Sequence, residues 1–290
     1  MNIILTSAGL KTQSSIGPKS PAVRDAVLKA LPKPPNEYKI AHIPTASRLH
    51  AETPWVEWEV AALRECGLEV TEVWLEDLKQ ETAFDVLNRY DIILVDGGDP
   101  FYLLKQARAC GFEQAVRKFL QNPDKWYFGN SAGSWIACPT IEVGDWKRKK
   151  DDHHGLTDLT AMNFVPFLLV VHYNREKYRE VLAEKIPTAS RPVRILTDDQ
   201  AFLVRDGKVE LIGEGPEITA SAIVDEDSQY ERDIQTIIRY LKIHDPENAD
   251  RDYVIQFLDS MEAFGSEIAR SDEALAEMIR KVTTRKKKAS

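Results

Sequence analysis

Trp126-Tyr127-Phe128-Gly129-Asn130-Ser131-Ala132-Gly133 is a short apolar run that ends in a serine set between two glycines. The run Trp126 to Phe128 suits a buried strand, and Ala132 to Ala137 can open a helix. Between them the chain must turn sharply, which strains the backbone at Ser131. Bulky neighbours would clash in such a turn, and the residues on either side are small. The first free N–H groups of the following helix would face the serine oxygen and favour negative charge there. This is the pattern of a nucleophile elbow. The competing reading is an ordinary Gly-Ser-Gly turn.

Around the elbow, short apolar runs alternate with helical patterns. Asn2 to Thr6, Lys39 to Ile43, Glu69 to Trp74, Ile92 to Val95 and Trp126 to Gly129 read as strands. Pro21 to Leu31, Pro54 to Cys66, Phe101 to Cys110 and Phe112 to Leu120 read as helices. Ser20 before Pro21 and Thr53 before Pro54 are helix-start signals, a capping hydroxyl followed by proline. The alternation predicts a mostly parallel central sheet with helices on both faces. Ligands bind such sheets beyond the carboxyl ends of the strands. Ser131 and the loop Asp96-Gly97-Gly98-Asp99 both fall at such ends.

Further on, Phe167 to Val171 reads as a strand ending at His172, and Arg175 to Glu184 as a helix. Arg194 to Thr197, Ala201 to Arg205 and Val209 to Ile212 read as strands, with Asp206-Gly207 as a hairpin turn between the last two. We place an α/β domain at residues 1–224 and a helical extension at 225–290. The extension's amphipathic segments are Gln229 to Leu241, Tyr253 to Phe264 and Glu273 to Val282, and it closes on Lys286-Lys287-Lys288. A frayed, solvated terminus explains that basic tail more simply than a binding patch.

Composition narrows the function. The chain has 290 residues, 43% hydrophobic and 29% charged, as in ordinary globular proteins. Its net charge of −8 speaks against general nucleic-acid binding. No apolar run approaches the ~20 residues of a membrane span. The start Met1-Asn2-Ile3-Ile4-Leu5 lacks the basic opening of a signal peptide. Cys66, Cys110 and Cys138 have no metal-ligand spacing and suggest buried thiols in a reducing cytoplasm. Homo-oligomerisation is left open.

A serine nucleophile needs a base, and the base needs an orienting acid. Of the six histidines, His172 is best placed, at a strand end on the same edge as Ser131; it also reads as a structural histidine. His42 and His50 flank another strand-end loop and could line a pocket. His153 and His154, with Asp151 and Asp152, could hold a metal, but a solvated loop is the simpler reading. His244 lies in the extension. For the acid, Asp198 and Asp199 follow a strand, and Glu142 and Asp145 are rivals. One oxyanion N–H would come from Ala132. The other would come from the loop at Gly97-Gly98, which lacks the lysine of a phosphate-binding loop.

Three blocks resemble the peptidase E family of aspartyl dipeptidases and the related cyanophycinases. They are Ile93 to Leu104, Asn130 to Ile141 and Val171-His172-Tyr173. The resemblance covers roughly residues 1 to 222, and the Asn130 to Ile141 block is its most specific part. It implies a fold similar to class I glutamine amidotransferases, with serine in place of their cysteine, and a Ser-His-Glu triad without metal or cofactor. Carried over, Ser131 is the nucleophile, His172 the base and Asp198 the acid, with Gly98 and Ala132 as the oxyanion donors. Asp99, Arg175 and Arg179 would contact substrate, the two arginines reading an N-terminal aspartate. The implied activity is serine-type hydrolysis of a dipeptide or small peptide through an acyl-enzyme.

The chain departs from the family at Asp99, where asparagine is usual, and at Asp198, which is one methylene shorter than glutamate. Those replacements keep a catalytically inactive, ligand- or partner-binding domain in play. An α/β-hydrolase esterase would need His244 as its late histidine.

Overall fold

The structure, a computed structural model, describes residues 1–14, 17–146, 153–173 and 179–221, together with Ile238. The chain divides into two compact units, Met1–Ala220 and Ser221–Ser290. The elements below belong to the first. Apart from Ile238, the three amphipathic segments of the extension, with His244, residues 147–152 and Arg175, lie outside the described residues.

The strands are β1 (Asn2–Thr6), β2 (Gln13–Ser14), β3 (Gly17–Pro18), β4 (Lys39–Ile43), β5 (Glu69–Glu72), β6 (Ile92–Val95), β7 (Trp126–Asn130), β8 (Leu168–Val170), β9 (Val193–Ile195), β10 (Gln200–Arg205) and β11 (Lys208–Gly213). The helices are α1 (Ala22–Ala30), α2 (Pro54–Glu65), α3 (Ala83–Leu87), α4 (Pro100–Ala109), α5 (Phe112–Phe119), α6 (Ala132–Trp135), α7 (Glu142–Trp146) and α8 (Arg179–Lys185). Seven strands form the central sheet in the order β11-β10-β1-β7-β6-β4-β5. The five from β1 to β5 in that order run parallel, with Ile4 beside Phe128, Phe128 beside Leu94 and Ile92 beside Ile40. β10 joins β1 antiparallel and carries β11 as a hairpin partner.

Continuous apolar strands are those buried on both faces. Ile4, Ile40, Ile92, Leu94, Trp126 and Phe128 form one core with Val23 and Val27 of α1 and Leu63 of α2. The pleat sends Ile3, Leu5, Ile93, Val95 and Tyr127 to the opposite face. They are equally buried there, and α6 packs against β6 and β7. The expected mostly parallel sheet with flanking helices is therefore the fold.

Details differ from the sequence reading. β8 is not a member of the central sheet. It pairs in parallel with β9 as a separate two-stranded sheet, Leu169 beside Arg194. β5 stops at Glu72, and the chain enters a short 3-10 turn at Leu75–Asp77. α1 starts one residue later than expected, with Pro21 at the N-cap, and Ser20 Oγ accepts from the N–H of Ala22 at 3.1 Å from just before it. Thr53 stands at the N-cap of α2, but its hydroxyl makes no capping bond. Among the described residues no helix is long and apolar enough to cross a membrane.

Candidate active site

Ser131 stands directly beyond β7, on a central strand of the sheet, with φ 50° and ψ −107°. A side chain in this region is strained, so the surroundings must hold it there. They do so from several sides. The N–H of Ser131 donates to Thr6 of neighbouring β1 at 3.0 Å. The hydroxyl of Ser134 reaches the carbonyls of Thr6 and Gly129, both at 2.8 Å. The buried Tyr127 hydroxyl donates to the carbonyl of Gly133 at 2.6 Å.

Two further groups align with the serine. His172 follows β8, and its Nε2 lies 3.1 Å from Ser131 Oγ. Its Nδ1 lies 2.5 Å from Oδ1 of Asp198, in the loop between β9 and β10. Asp198 is 2% exposed. A neutral imidazole that donates Nδ1–H to the carboxylate turns the lone pair of Nε2 towards the serine hydroxyl, the tautomer a general base needs. The aspartate thus reaches the histidine despite its shorter side chain.

The rival acids are occupied elsewhere. Asp199 accepts from the N–H of Ser20 at 3.0 Å. Glu142 accepts from the N–H and hydroxyl of Ser190, and Asp145 pairs with His153 at 2.7 Å. The other histidines among the described residues have partners elsewhere too. His50 is exposed, edge-on to Trp55. His153 stacks on Phe101, and His154 Nε2 lies 2.9 Å from Asp99 Oδ2. No group of three or more His, Cys, Asp or Glu among the described residues is arranged to hold a metal. The thiols are poor competitors for the serine. Burial pushes Cys110 up to about 11 and Cys138 up to about 12.

Beside the elbow, β6 ends in the glycine loop. At Gly98 φ is +147°, and a β-carbon would lie 2.2 Å from the carbonyl oxygen of Ala46, so no side chain fits. A β-carbon on Gly97 would stand 3.7 Å from Ser131 Oγ. The loop therefore runs along the nucleophile, and Trp55 holds it through an indole N–H donated to Gly97 O at 3.3 Å. Asp99, expected to touch substrate, stands at the N-cap of α4. Its Oδ1 accepts from the N–H groups of Phe101 and Tyr102, while Oδ2 faces His154. Arg179 opens α8.

A buried polar cluster supports this loop, and the sequence reading missed it. Asp96 Oδ1 accepts from Gly97 N–H at 2.7 Å and from Asn130 Nδ2 at 2.6 Å, and its Oδ2 lies 3.2 Å from His42 Nε2. Burial alone would raise the Asp96 pKa. The His42 hydrogen bond, the charges of Lys11 and His42, and the Gly97 N–H outweigh it and hold the carboxyl below its usual range. His42 is thus a fully buried support rather than a pocket wall. Ser7 was also missed. It directly follows β1, and its hydroxyl lies between Asp198 and His172. A polar residue one step past a central strand was the available signal.

A strained serine at a strand end, with a histidine and a buried carboxylate in line behind it, puts the protein among the α/β serine hydrolases. Comparison with known proteins narrows the class. The model of peptidase family S51 matches residues 3–212, and the chain belongs to that family. It is a serine peptidase. An uncharacterised peptidase of Pasteurella multocida (strain Pm70) is 31% identical over 169 residues, 58% of this chain and 81% of the relative. Peptidase E of Shewanella sp. (strain ANA-3) is 26% identical over 223 residues, 72% and 89% of the two chains. A crystal structure from Listeria monocytogenes EGD-e, provisionally named a peptidase E, superposes with a TM-score of 0.63 at 24% identity. It covers 74% of this chain and 98% of its own.

Proposed function

We propose that the protein is a serine-type dipeptidase or small-peptide hydrolase that works through an acyl-enzyme, with Ser131, His172 and Asp198 as its catalytic residues. The observation that carries the reading is the unbroken line Ser131 Oγ, His172 Nε2, His172 Nδ1, Asp198 Oδ1, with spacings of 3.1 and 2.5 Å. Ser131 Oγ attacks the peptide carbonyl carbon as its proton passes to His172 Nε2. Asp198 stabilises the imidazolium that forms. The carbonyl oxygen, now an oxyanion, takes N–H bonds from Gly98 and Ala132, which flank the nucleophile on two neighbouring strand ends. His172 then protonates the departing amine and leaves Ser131 as an ester. A water that loses its proton to His172 attacks that ester, the carboxylic acid departs, and the serine recovers its proton.

Preference for an N-terminal aspartate would need a cation over the acyl side chain. Arg175 and Arg179 are our candidates, from their spacing after His172. Dipeptide hydrolysis by wild type and Ser131→Ala tests the whole reading, with Asp-Leu leading a panel that also carries neutral and basic first residues. We expect turnover only with Ser131 present, and fastest for Asp-Leu. Equal turnover by Ser131→Ala would overturn the mechanism, and indifference to the first residue would remove the aspartate preference.

A further inference from the structure

The hydroxyl of Ser7 touches both partners of the nucleophile. Its oxygen lies 2.8 Å from Asp198 Oδ1, accepts the backbone N–H of His172 at 2.7 Å, and stands 3.3 Å from His172 Nδ1. The His172 N–H already donates to this oxygen, so the one hydroxyl proton goes to Asp198. Asp198 Oδ1 thereby receives two donors, Ser7 Oγ–H and His172 Nδ1–H. Ser7 is itself fully buried.

The segment that follows Ser7 is built at high cost. Gly9 takes φ +73°, its N–H donates to Thr6 Oγ at 3.0 Å, and Thr6 Oγ in turn donates to Gly129 O at 3.0 Å. Lys19 Nζ donates to the carbonyls of Ala8 and Gly9 at 3.3 and 3.1 Å. Glu59 collects the N–H groups of Leu10 and Lys11 and the Lys11 ammonium. Lys11, Lys19 and Glu59 are 5%, 8% and 0% exposed. Two amines and a carboxylate withdrawn from water are expensive to keep, and the hydrogen bonds they make here are all to this turn or to one another. The geometry they fix here is the exit of β1, where Ser7 sits.

We infer that Ser7 is a positioning residue of the catalytic machinery: it sets Asp198 and the His172 backbone in register and tempers the carboxylate's pull on the imidazole. This inference rests on the proposed role of Ser131, His172 and Asp198. Donating to a carboxylate stabilises its charged form. Without that donor, Asp198 pulls harder on a proton at His172, and the histidine stays protonated to higher pH. The loss of Ser7 should therefore show in the pH profile as well as in the rate.

The experiment is the rate at which a fluorophosphonate probe labels Ser131 between about pH 5 and 9, so that no substrate need be known. Wild type, Ser7→Ala and Ser7→Cys would be compared, with Ser131→Ala as the blank and circular dichroism as the folding check. In Ser7→Ala we expect labelling slower by about 10- to 100-fold. We also expect the acid limb of the profile to move up by about half a unit to one unit. Ser7→Cys, a weaker donor of similar size, should fall between. A folded Ser7→Ala with an unmoved acid limb would overturn the inference and leave the nucleophile reading intact. A wild type that shows no labelling at Ser131 would overturn both.

Discussion

The backbone carbonyl of Val95 fills the place that a β-carbon on Gly133 would need, for the two would stand 2.0 Å apart. The one-turn helix after the nucleophile therefore lies directly on β6, the strand that delivers the glycine loop. Gly133→Ala cannot be absorbed by a side-chain movement, because the obstacle is backbone. We expect a loss of about 2–3 kcal/mol in urea unfolding. The shift of the elbow should also slow peptide turnover by about a hundredfold or more. A variant with wild-type rate and stability would show that the helix has room to move.

Asp198 and Asp199 are neighbours with different partners, and that separates their expected effects. Asp198→Asn can turn its amide towards His172 Nδ1 and favour the tautomer that cannot accept the serine proton. Turnover should fall by about 10³- to 10⁴-fold with little change in KM. Asp199→Asn keeps an oxygen for the N–H of Ser20, its partner at 3.0 Å, and should hydrolyse peptides nearly as well as wild type. Steady-state kinetics of the two variants decide between them, and a larger loss at Asp199 would reverse the assignment of the acid.

The parts of this molecule that were legible in sequence are those whose signal is local. An elbow has its own grammar of small residues, and a strand buried on both faces announces itself as an unbroken apolar run, as in Ile92 to Val95. The residues alone placed Asp198 and Asp199 together at a strand end, beside the rivals Glu142 and Asp145, and only the family resemblance singled out Asp198. What was not legible depends on strand order. Ser7 meets His172 across 165 residues, and His42 meets Asp96 across 54. The adjacency of β7 with β6 and of β6 with β4 brings Asn130, Asp96 and His42 together, whereas Ser7 meets His172 because β8, outside that sheet, ends beside the exit of β1. The alternation of strands and helices does not specify that order. The separation of β8 and β9 from the main sheet was hidden for the same reason, since a short apolar run does not name its partner.

Asp96 ties three elements together, and its removal should be felt in both stability and rate. Asp96→Ala would leave His42 Nε2, the Asn130 amide and the Gly97 N–H without their acceptor in a buried site. A buried group that loses a charged partner costs about 3–5 kcal/mol. The held-down pKa makes this contribution pH-dependent. The ionised carboxylate is favoured in the folded state, so the stability is present above the ordinary carboxylate range. It drains away as pH falls through the lowered native value. Acid titration of unfolding should therefore find a smaller gap between wild type and Asp96→Ala at low pH than at pH 7. A gap that stays constant would mean that the carboxyl titrates alike in the native and unfolded chains, and one that widens at low pH would mean that its native pKa is raised.

Lys19 also makes stability rise with pH, in a higher window. Burial, followed by the charge of Lys11, lowers its pKa from 10.5 to about 8, against the opposing pull of Glu59, Asp198 and Asp199. Below pH 8 both folded and unfolded chains carry the proton, and the buried ammonium penalises the fold in full. Between pH 8 and 10.5 the unfolded chain still holds a proton that the native amine has released, so stability rises with pH across this window. The neutral amine keeps two N–H donors for Ala8 and Gly9, so the turn at Ser7 survives deprotonation. A drop of roughly 2.5 units corresponds to about 3 kcal/mol, most of it recovered by pH 10. Lys19→Met removes the titrating group. The stability of wild type relative to this variant, from urea unfolding, should therefore increase by about 2–3 kcal/mol between pH 7 and pH 10. A flat difference would show that the native pKa of Lys19 is not lowered.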